Sequence, residues 1–69
     1  MKKVSYIWTS KIDKSCEVQE VTMCDEWAFE DWLNEQGCKW EKVMYGTYRV
    51  MDIWDDLIGY YDVLREERI

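Results

Sequence analysis

The chain has 69 residues, with fifteen acids against nine bases, a formal charge of −6 and no histidine. That length allows one small domain with a marginal core; five Trp, five Tyr and one Phe compensate, each ring burying roughly 150 to 250 Å². The acidic balance speaks against direct binding of nucleic acid, where affinity comes from Lys and Arg on phosphates, and the missing histidine removes the commonest general base and metal ligand.

Val4, Tyr6 and Trp8 alternate with Ser5, Ile7 and Thr9, which reads as a strand with one aromatic-rich face. TSKIDKS over 9–15 supplies turn residues, and a second strand over 16–22 closes a hairpin. Its alternation is imperfect, because Val18 and Val21 fall on opposite faces. Thr22 and Asp25 stand at capping-box spacing before a helix expected over 25–36, with Ala28, Phe29, Trp32 and Leu33 on its inner face. Glu26, Glu30, Asp31, Asn34 and Glu35 take its flanks and back, and Gly37 is placed to end it. CKWEKVMYGTYRVM over 38–51 reads as a hairpin of 39–45 and 47–51 turning near Gly46.

The last stretch, DIWDDLIGYYDVLREER over 52–68, fits a helical period best. Ile53, Trp54, Leu57, Ile58, Tyr60, Tyr61 and Leu64 fall on one side, and Asp52, Asp55, Asp56, Asp62 and Glu66 on the other. As a strand it shows apolar residues on both faces and no clean period of two. Gly59 and the β-prone string around it oppose the helix and leave a hairpin through Asp55 and Asp56 as the alternative. The predicted fold is therefore α+β: a single domain in which an antiparallel sheet of two hairpins carries both amphipathic helices on one face (ββαββα), or, with the last segment a strand, ββαβββ.

Cys16, Cys24 and Cys38 are odd in number and form no CxxC pair, so neither a disulfide framework nor a zinc site is expected. No Gly-rich phosphate loop or patterned carboxylate loop is present, and no catalytic residues, cofactor or metal are predicted; the chain reads as a non-enzyme. The opening MKKVSYIWTS lacks the apolar core of a signal peptide, and no run approaches the ~20 apolar residues that cross a bilayer, so a cytoplasmic protein without membrane contact is expected.

The acids carry the functional reading. Seven lie between Glu17 and Glu35 and four between Asp52 and Asp62, with no base in either stretch. The bland reading is a solvated face that keeps an aromatic-rich protein soluble. The functional one is a surface that meets a basic partner, with Trp27 as an apolar anchor inside an acidic rim. The predicted partner-binding set is Trp27, Glu30, Asp31, Asp52, Asp55, Asp56, Asp62 and Glu66. In size, acidity and lack of catalytic residues the chain resembles the small phage-encoded inhibitors of bacterial defence, including anti-CRISPR and restriction-blocking DNA mimics. That resemblance is one of composition and implies an inhibitor covering a basic, nucleic-acid-handling protein surface. The alternative is a self-associating homodimer that pairs sheet edges or buries surplus aromatics.

Overall fold

The computed structural model describes residues 1–69. Its elements are β1 (Lys2–Ser10), β2 (Cys16–Met23), α1 (Phe29–Glu35), β3 (Lys39–Met44), β4 (Thr47–Met51) and β5 (Leu57–Arg68). The five strands form one antiparallel sheet in the order β2-β1-β5-β4-β3, with the short helix packed on one face. The two-helix ββαββα arrangement is thereby corrected: there is one helix, and the segment from 52 onward is a turn and a long strand.

The reason lies in where β5 sits. It is the central strand, paired with β1 on one side and β4 on the other. Tyr61 and Val63 face the helix, whereas Tyr60 and Asp62 face away, and all four are half-buried by their neighbours. A strand flanked on both sides tolerates apolar residues on both faces, which erases the period of two and lets a helical period emerge by chance. The entry is set by Asp52, whose Oδ1 accepts the Trp54 N–H (2.9 Å) and the Asp56 N–H (3.0 Å). Asp52 N–H also donates to the Asp56 carbonyl at 2.9 Å, and Asp55 takes a left-handed φ of 66°. Asp52, Asp55 and Asp56, expected on the polar side of a helix, instead hold a tight turn.

The helix itself is shorter than the periodicity suggests. Residues 24–28 form a turn, with the Trp27 N–H on the Cys24 carbonyl at 3.1 Å. Ala28 is the N-cap and offers no side-chain acceptor; the Asp31 carboxylate reaches back to its N–H at 2.8 Å, half of a capping box placed six residues later than the sequence indicates. At the other end Gly37 adopts φ 73°, and the Cys38 N–H closes on the Leu33 carbonyl at 3.3 Å.

The core lies between helix and sheet. Val4 and Leu33 are wholly buried, and Phe29, Tyr6, Tyr48 and Met23 complete the cluster. Tyr6, Phe29, Trp32 and Tyr61 form a mutual group in which every pair of ring centroids lies between 5.1 and 5.8 Å. Trp8 stacks on Tyr61 at 4.8 Å and spreads over Gly59, where an added Cβ would stand 2.3 Å from the indole and 2.5 Å from the Thr9 carbonyl oxygen. Gly59→Ala is therefore expected to lower unfolding stability by about 1–3 kcal/mol through overpacking, read as a lower urea midpoint. An unchanged midpoint would contradict this packing.

Candidate functional site

The eight residues expected to form one surface do not come together. Asp52, Asp55 and Asp56 occupy the β4–β5 turn, Asp62 points from the middle of β5 away from the helix, and Glu66 lies toward the far end of that strand. Most are also engaged within the chain. Asp55 pairs with Lys39, Glu66 with Lys2 at 3.3 Å, and Glu30 with Lys42 at 3.6 Å. Asp62 accepts the Thr47 hydroxyl at 2.7 Å, and Asp52 is consumed by its turn. A row of parallel helical carboxylates does not exist.

What persists is a smaller acidic ridge on the helix side. Asp31 and Glu35 lie one helical turn apart on the side of α1 opposite Phe29 and Leu33, and Glu26 precedes them in the turn. None of these three has a cationic partner within the molecule. Trp27 sits in the turn beside Glu26, not on the helix, and is 36% exposed. Asp31 spends one oxygen on the Ala28 N–H, which fixes its position and leaves its charge directed to solvent.

A groove of about 520 Å³ opens beside this ridge. Ala28 and Glu30 form one wall, Tyr45 and Gly46 of the β3–β4 turn another, and Leu64 and Arg65 of β5 the third. Tyr48 lies at its floor and donates its hydroxyl to the Glu30 carboxylate at 3.0 Å. Burial first, and then that carboxylate, push the Tyr48 phenol up to about 12; burial likewise lifts Tyr61 to about 12. No trio of acid or thiol groups converges to hold a metal ion, and burial raises the Cys38 thiol, which opposes its use as a nucleophile.

Several exposed apolar residues escaped the sequence reading. Ile53 and Trp54, assigned to a buried helix face, are 81% and 75% exposed at the tip of the β4–β5 turn, and Tyr45 is 95% exposed at the opposite end of β4. The signal that finds Tyr45 is its place before Gly46, the turn glycine with φ 82°.

Because the folded protein favours the neutral phenols of Tyr48 and Tyr61, their contribution to stability is complete below the ordinary value of 10.0 and is lost as pH rises toward about 12. Urea unfolding at stepped alkaline pH should show a falling midpoint across that window, with a shallower fall in Tyr48→Phe. No helix is long and apolar enough to cross a membrane. Searches with protein-family models, among curated proteins and among solved structures find no match to this chain.

Proposed function

We propose that the protein is a small acidic binding module, not an enzyme, that inhibits or regulates a partner protein by covering a basic, nucleic-acid-handling surface. The observation that carries this reading is the ridge of Glu26, Asp31 and Glu35 beside the partly exposed Trp27. Seven other carboxylates meet cations of the chain itself: Lys3 bridges Glu20 at 3.1 Å, Arg49 bridges Glu41 at 3.5 Å and Arg65 bridges Glu67 at 2.9 Å, and Asp25, Glu30, Asp55 and Glu66 are paired likewise. The acids on the outer side of α1 meet none, even though acids at the helix C-terminus work against the helix dipole.

Uncompensated charge of this kind steers a cationic surface into contact and raises the association rate more than the final affinity. Trp27 would then supply the apolar anchor that holds the complex once formed. Asp31 and Glu35, about 6 Å apart along the helix axis, approximate the spacing of adjacent phosphates on one strand, which suits a surface built for a nucleic-acid backbone.

The test is capture of proteins from a bacterial lysate on the immobilised chain. Wild type should retain proteins with basic nucleic-acid-binding surfaces, duplex DNA and added salt should displace them, and the E26K/E35K variant should retain about tenfold less. W27A should lose retention without losing the salt dependence of what remains, and D56K, at the distant turn, should leave retention unchanged. Capture indifferent to salt, DNA and E26K/E35K would overturn the reading.

A further inference from the structure

The sheet has a step. β5 is bonded to β1 from Gly59 to Arg68 but to β4 only from Leu57 to Asp62. The last contact on the β4 side is the Val63 N–H donating to the Gly46 carbonyl at 2.8 Å. Beyond it the flank of β5 that faces away from β1 has no neighbouring strand, and the groove beside α1 opens onto this flank.

The direction of the free backbone groups follows from alternation. The Ile69 N–H donates to the Met1 carbonyl at 3.3 Å, so Ile69 and Glu67 face β1 while Glu66 and Arg68 face outward. The register of β5 shifts between Ser5 and Tyr6, which leaves Leu64 as the extra residue of a bulge. That bulge is what permits Val63 and Glu66, three residues apart, to point to the same side. The outward amides and carbonyls of Glu66 and Arg68 have no partner in the molecule.

We propose that this edge pairs antiparallel with the same edge of a second copy, about a two-fold axis through Glu67. In that register Glu66 of each chain lies opposite Arg68 of the other, and both are outward-facing, so the two pairs exchange four backbone hydrogen bonds in the pattern of a regular antiparallel ladder. The charges select it. Arg68 has no acidic partner within its own chain, and the register supplies one. A register centred one residue earlier sets Glu66 against Glu66 and leaves the outward groups of Arg68 unpaired.

The side chains agree. Ile69 of the second copy arrives opposite Arg65 and beside Leu64 on the face away from the helix, and both Ile69 and Leu64 are exposed in the single chain. The two Glu67 carboxylates meet at the axis, where each is already held by Arg65 at 2.9 Å and faces Lys3 at 3.9 Å. The interface is isologous and closes at two copies. It goes beyond the binding reading, because the ridge of Glu26, Asp31 and Glu35 plays no part in it.

Sedimentation velocity across a concentration series decides the matter. Wild type should pass from monomer to dimer and no further. E66R sets Arg against Arg across the axis and should raise the dissociation constant about tenfold or more, since each cross-strand pair turns from attraction to repulsion. E66R/R68E restores opposite charges in the same register and should bring the constant back toward the wild-type value. That rescue separates a lost interface from a lost fold. A strict monomer at all concentrations, growth beyond a dimer through the acidic β2 edge and the lysines of β3, or a failure of E66R/R68E to recover a dimer would each overturn the proposal.

Discussion

The mutual contact of Tyr6, Phe29, Trp32 and Tyr61 is the constraint on which the rest of this molecule depends. One ring comes from β1, one from β5 and two from the helix, so the cluster ties the two central strands to the only element outside the sheet. A seven-residue helix has little stability of its own. It persists because Phe29 and Leu33 are buried against the sheet, and the aromatic tilts among these rings add to what area burial supplies. With so few residues fully buried, large rings have replaced a large core.

The charge distribution follows from the sheet. Residues far apart in sequence stand opposite one another across strands, and this brings bases to acids that a linear reading leaves alone. Lys2 meets Glu66 and Lys3 meets Glu20 and Glu67 because β1 lies between β2 and β5. Exposed pairs of this kind add little stability each. Their effect is to thin out the uncompensated acids, which stand next to an exposed indole at two places: Asp52 and Asp56 at Trp54 in the β4–β5 turn, and the helix-side ridge at Trp27.

Elements governed by local rules were legible in the sequence. The aromatic alternation of β1, the turn glycine at Gly46 and the stop at Gly37 all stand where local rules put them. What was not legible depends on neighbours distant in the chain. A central strand such as β5 reads as helical because both of its faces are covered, and Asp52 is as good a turn residue as it is a helix cap. Of the candidate site, Trp27, Asp31 and their acidic neighbours stay together because they are adjacent in sequence. Asp52, Asp55, Asp56, Asp62 and Glu66 dispersed once their helix was gone, and the groove at Tyr45 needed tertiary structure to exist at all.

The indole of Trp8 lying over Gly59 also fixes how β5 can sit against β1. If β5 slid by one residue, either Ile58 or Tyr60 would be driven under the ring where only a hydrogen fits. Sliding by two would bring Leu57 or Tyr61 there instead. The missing side chain thus serves as an index mark along an otherwise slippery, aromatic-rich strand, and it admits a single alignment of the two longest strands in the sheet.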